Sequence, residues 1–201
     1  MHIQSLNSPK STMTKTVLLL LDLQDGILDQ CDSNNTPYFT KVLNVTAAAR
    51  FADIPVIYVR TCFRPGYPEI SSHSSSFARI VPTNKYIEGD ASVAFPSAIA
   101  PQPSDIIVTK RRVSAFVGSD LEVVLKGLGA DSLVVAGLAT SGAVLSTVRQ
   151  AADMDYQLTV LKDLCVDNKP EVHTVLLEQV FPRQGRVVET GEWIDEVGGG
   201  R

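Results

Sequence analysis

The sequence predicts a three-layer α/β/α sandwich built on a mainly parallel sheet, and three observations carry that expectation. Short apolar runs recur along the chain without polar alternation, as in TVLLLLDLQ at 16–24 and DSLVVAGLAT at 131–140. Such runs suit strands buried on both faces. Segments with helical spacing lie between them, and strand–helix–strand alternation implies right-handed crossovers. The third observation is the length of 201 residues, enough for one well-buried domain and short for two.

The strand candidates are 16–24, 55–60 (PVIYVR), 105–111 (DIIVTKR), 131–140 and 156–167 (YQLTVLKDLCVD). A first helix is predicted over 38–52, where Phe39, Val42, Leu43, Val45 and Ala49 lie near one face. A second spans 119–129, with Ser119 as N-cap, Glu122 three positions on and Gly129 as the stop. Residues 142–153 carry Val144, Leu145, Val148 and Ala151 at helical spacing, and 170–180 start with Pro170 at a first helical position. Residues 62–104 are rich in Pro, Ser and Gly and too long for a plain connector, so a lid or substrate-binding excursion is expected there. The expected organisation is a disordered N-terminal arm over 1–14, one domain over 15–190 and a C-terminal tail over 191–201.

Composition narrows the function. Hydrophobic residues make up 44 % and charged residues 20 %, with a formal charge of −4, so neither nucleic acid nor a membrane surface is expected as a partner. The run Lys110-Arg111-Arg112 still offers a place for a small anion. Cys31, Cys62 and Cys165 are too scattered for a disulfide framework and lack metal-ligand spacing, which favours a reducing, cytoplasmic setting. The leader MHIQSLNSPKSTMTK has no apolar core and does not read as a signal peptide, although export by another route stays open. No metal site and no cofactor are expected.

In open α/β sheets, ligands gather at the carboxyl ends of the strands. Here those ends carry Asp22, Lys110 and the corner Ala139–Ala143. A carboxyl and an ammonium so placed are costly unless paired or functional. The plainer alternative is that Asp22 caps the QDG turn, Lys110 is an exposed strand end and 139–143 form an N-cap.

Taken together, LLLLDLQDGI, KRRVSAF and GLATSGAVLST, in that order, resemble the isochorismatase-like hydrolase superfamily, often called cysteine hydrolases. The resemblance runs from about Thr16 to Arg186 and implies a six-stranded parallel sheet and an Asp–Lys–Cys triad. Asp22 matches the aspartate and Lys110 the lysine. The corner commonly reads G-x-A-T-D-x-C-V in the family, so Ala143 stands where the nucleophile is expected. The resemblance further implies a cis peptide between Leu138 and Ala139, an oxyanion hole from the Ala139 and Ala143 N–H groups, and homo-oligomers, dimers or larger.

Alanine supplies no nucleophile. Ser141 and Ser146 are nearby hydroxyls outside the matched position. Vinyl ether hydrolysis needs only a proton donor and a cation for a substrate carboxylate. The chain is similar to the isochorismatase branch of the family, which keeps Asp and Lys with a small residue in place of cysteine. That resemblance implies isochorismate hydrolysis with Asp22 as general acid and a small anionic molecule as substrate. Expected substrate contacts are Gln24, Phe77, Arg111, Phe116, Ala139, Thr140, Ser141 and Gly142. A hydrolase of another small amide or carboxylate, and a catalytically silent binding protein, are the alternatives. His73 and His173 are read as surface and structural residues.

Overall fold

A computed structural model describes residues 14–31 and 35–199. The arm expected over 1–14 therefore lies almost wholly outside the described residues. Six strands form one parallel sheet: β1 (Thr16–Leu21), β2 (Val56–Thr61), β3 (Ile106–Lys110), β4 (Ser132–Leu138), β5 (Gln157–Val166) and β6 (Arg186–Val188). Their order across the sheet is β3-β2-β1-β4-β5-β6, and every pairing is parallel.

The unbroken apolar character of β1 follows from its central place. Leu19 and Leu21 face one core and Leu18 and Leu20 the other, all fully buried. Helices α3 (Leu121–Leu128), α4 (Leu145–Asp153) and the short α5 (Pro170–Val175) cover the first core; the short α1 (Asp25–Leu28), α2 (Thr36–Phe51) and α6 (Thr190–Gly198) cover the second. Burying one Leu is worth about 1.5–3 kcal/mol, so β1 anchors both layers. Asn35 caps α2 by accepting from the Tyr38 N–H at 3.0 Å, and Gly129 closes α3 in the left-handed region at φ 66°. Ser119 lies one residue before the α3 N-cap, Asp120, yet its hydroxyl still accepts from Leu121 N–H at 3.3 Å.

Three segments differ from the sequence expectation. Residues 191–199 are no appendage: α6 seals the second core with Trp193, which is 4 % exposed. Ile194 and Val197 pack beside it, a short stripe that the flanking acidic and glycine residues obscure in the sequence. The segments 142–153 and 170–180 are composite, since wider π-type turns occupy Thr140–Val144 and Leu176–Val180.

The chain reverses direction across the sheet between β1 and β4, which opens a crevice at their carboxyl ends. Gly137 permits this approach. A Cβ there would lie 2.1 Å from the Leu21 carbonyl oxygen, and its φ is +133°. Residues 62–104 fold over the crevice as the expected excursion, around their own apolar cluster of Phe63, Tyr67, Phe77 and Tyr86.

Candidate active site

Asp22 follows β1 directly, at φ 56°, a region that aspartate tolerates better than most residues. Its Oδ2 lies 2.9 Å from the Lys110 ammonium at the end of β3, with side-chain exposures of 5 % and 2 %. Strand β2 lies between β1 and β3, and its last residue joins the two groups. Thr61 Oγ1 accepts from Lys110 Nζ at 2.7 Å and donates to Asp22 Oδ1 at 3.1 Å. Lys110 also donates to the Arg112 carbonyl at 3.1 Å. An ammonium has three N–H donors, and all three are thus engaged. Burial pushes the Asp22 carboxyl above its ordinary value; Lys110 and Thr61 pull the other way without cancelling it.

The pair opens onto a cavity of about 530 Å³. Ala139 and Ala143 line it from the β4 corner, Phe77 from the excursion and Thr61 from β2. The Leu138–Ala139 peptide is cis. No larger atom replaces the methyl group at the corner tip. Arg79 and Lys85, both exposed residues of the excursion, also line the cavity. Among the described residues, no cluster of three metal-ligating side chains occurs.

Several expected substrate contacts are placed elsewhere. Gln24 is fully buried and grips backbone: its amide accepts from Thr61 N–H at 2.7 Å and donates to the Thr61 and Ser92 carbonyls, each at 3.0 Å. Arg111 turns away to Glu69 and Glu88, at 3.3 and 3.5 Å. The anion site expected at the basic run is thereby filled from within, since Arg112 donates to the Glu69 carbonyl and lies over the Phe77 ring. Phe116 packs in the core beside Tyr156. At the corner, Thr140 is fully buried with its hydroxyl 2.8 Å from His173 Nδ1. The Ser141 N–H donates to Asp167 at 2.7 Å, and the Gly142 N–H to the Ala139 carbonyl at 3.0 Å.

Sequence reasoning missed Thr61, Arg79 and Lys85. The Thr61 signal was available in principle, because a polar residue ending the strand between Asp22 and Lys110 must lie between them. The two cations sit in an irregular segment, where no periodicity points to a side chain's direction.

The isochorismatase domain profile matches residues 16–192. The chain belongs to the isochorismatase family. It is 31 % identical over 179 residues to YecD of Escherichia coli O157:H7, named as an uncharacterized isochorismatase family protein, covering 86 % of this chain and 90 % of that one. Ureidoacrylate amidohydrolase RutB of Pseudomonas syringae pv. syringae is 30 % identical over 178 residues, covering 78 % of this chain and 73 % of RutB. Among solved structures, an isochorismatase family protein from Burkholderia thailandensis superposes with a TM-score of 0.79 at 28 % identity, covering 92 % of this chain and 96 % of that one. A cysteine hydrolase from Pseudomonas syringae pv. phaseolicola reaches 0.81 at 22 % identity, with 92 % and 93 % covered, and supports the fold. The chain is accordingly an isochorismatase-family hydrolase.

The three cysteines do not stand in for the missing thiol at the matched position. Cys165 is buried in β5, its thiol pushed up to about 12 by desolvation. Cys62 is buried beneath the excursion. Cys31 lines the cavity, but partial burial and the nearby Asp167 charge raise its thiol and leave it protonated at neutral pH.

Proposed function

We propose that this hydrolase cleaves the vinyl ether of isochorismate, giving pyruvate and 2,3-dihydroxy-2,3-dihydrobenzoate without a covalent intermediate. One observation carries the reading: the buried Asp22 carboxyl faces a cavity whose nucleophile position holds only the Ala143 methyl, and burial pushes that carboxyl above its ordinary value. Asp22 gives its proton to the terminal methylene carbon of the enolpyruvyl group. The resulting oxocarbenium ion is captured by water, and Asp22 takes back the proton that the water loses. The hemiketal then collapses: its bond to the ring oxygen breaks, that oxygen takes up a proton and leaves as the ring hydroxyl, and the hemiketal hydroxyl gives up its own proton as the pyruvate carbonyl forms.

Because its three donors are engaged, Lys110 holds the carboxyl in place instead of reaching for substrate. Arg79 and Lys85 are the cavity cations left to receive substrate carboxylates. An anion bound beside Asp22 disfavours the carboxylate and raises the pKa further, which keeps the acid protonated.

Incubation with isochorismate, with pyruvate followed by a coupled dehydrogenase, tests this reading. The expected result is turnover with kcat level at low pH and falling as pH rises through the raised Asp22 value, because only the protonated acid works. Absence of pyruvate overturns it.

A second reading is amide hydrolysis by a water that Asp22 activates, supported by the likeness to RutB. Ammonia release from ureidoacrylate, rising with pH as Asp22 ionises, is its signature. Stoichiometric ligand binding without turnover of either substrate identifies a silent binding protein instead.

A further inference from the structure

We propose that Thr61 is the positioning residue of the Asp22–Lys110 pair, and that Gln24 acts on the pair through Thr61. The inference rests on the functional reading above for its kinetic arm alone. Lys110 is a donor without acceptor capacity, so the 2.7 Å contact makes the Thr61 oxygen an acceptor there. The single Thr61 hydroxyl proton is then directed at Asp22 Oδ1, 3.1 Å away. Lys110 meets Oδ2 at 2.9 Å. The carboxyl is gripped at both oxygens, and its plane is fixed relative to the cavity.

Thr61 in turn has no freedom to drift. Gln24 closes two hydrogen bonds on its backbone, one to each side of the residue, at 2.7 and 3.0 Å. A third bond from the same amide, to the Ser92 carbonyl at 3.0 Å, ties that grip to the excursion. The spacing Asp22-Leu23-Gln24 therefore converges on Thr61. Asp22 takes the Thr61 hydroxyl, and Gln24 takes the Thr61 peptide groups.

The titratable groups whose charges act with Asp22 are Lys110 from β3 and Tyr86 from the excursion. Thr61 carries no charge, so replacing it leaves that field intact and removes one donor that favours the carboxylate.

The test compares Thr61→Val, which keeps shape and loses the hydroxyl, with Thr61→Ser, which keeps the hydroxyl. One arm follows Asp22 ionisation by ¹³C NMR on carboxyl-labelled aspartate, with Asp22→Asn assigning the resonance. The other records pyruvate release against pH. For Thr61→Val, kcat is expected to fall about 10- to 100-fold, the size of one hydrogen bond to a charged group, with KM nearly unchanged. The Asp22 midpoint and the falling limb of the pH profile should move upward together, and Thr61→Ser should restore both.

An unmoved midpoint in folded Thr61→Val overturns the proposal, as does Thr61→Ser behaving like Thr61→Val. If Thr61→Val does not fold, Thr61→Ala is read by the same two measurements. If the wild type releases no pyruvate, the isochorismate reading fails, while the NMR arm still decides the role of Thr61.

Discussion

The two sides of the crevice are built by opposite rules. On the β1–β3 side, Asp22, Thr61, Lys110 and Gln24 are buried, polar and mutually bonded. On the β4 side, the cavity wall is apolar, made of Leu138 and the two methyl groups of Ala139 and Ala143. The first side is interdependent: removing one member leaves another buried and unsatisfied, at a cost of several kcal/mol. The second is sterically simple and contributes space. Position 143 carries no nucleophilic atom, and the proton transfer proposed above places the chemistry on the other wall.

Three substitutions break or sharpen this contrast. Asp22→Asn removes the proton donor and keeps the shape, and should lower kcat for isochorismate by about 10²- to 10⁴-fold. Steady-state pyruvate release measures it, and near-wild-type turnover would refute the acid role. Lys110→Met leaves the buried carboxylate without its partner and should cost about 3–5 kcal/mol at neutral pH. Burial alone then raises Asp22 further. The carboxyl's folded value lies above its unfolded one, so its contribution to stability is full below the unfolded value and is lost as pH rises through the folded one. The deficit should accordingly shrink at acid pH. Adding Asp22→Leu should recover much of it, as urea denaturation at two pH values will show. On the other wall, Ala143→Leu should cost only about 1–3 kcal/mol through overpacking. It should raise KM, because it fills space the substrate needs. A loss of stability matching that of Lys110→Met would erase the contrast.

Much of the framework was legible because it depends on burial from both sides. Five strands announce themselves as continuous apolar runs, whereas β6, three residues long and partly exposed, does not. The tail is hard to read because its core-facing stripe is short and mixed: Thr190, Trp193, Ile194 and Val197 are set among acidic and glycine residues. The catalytic candidates Asp22 and Lys110 were legible as charges ending apolar strands. Thr61 was not, since its importance comes from lateral strand order, which a one-dimensional pattern does not encode. Gln24, Arg111 and Phe116 do not line the cavity, for a shared reason: proximity in sequence to a site residue does not fix which way a side chain turns. Arg111 follows Lys110 immediately and points to Glu69, while Lys110 points to Asp22.

The basic run after β3 also links the roof of the crevice to its floor. The Arg112 carbonyl anchors the ammonium that holds Asp22, while the Arg112 guanidinium rests on Phe77 and binds the Glu69 carbonyl. One arginine thus touches an aromatic of the cavity lining with its side chain and holds the lysine of the acid pair with its backbone, so the roof and the floor cannot be repacked independently at this residue.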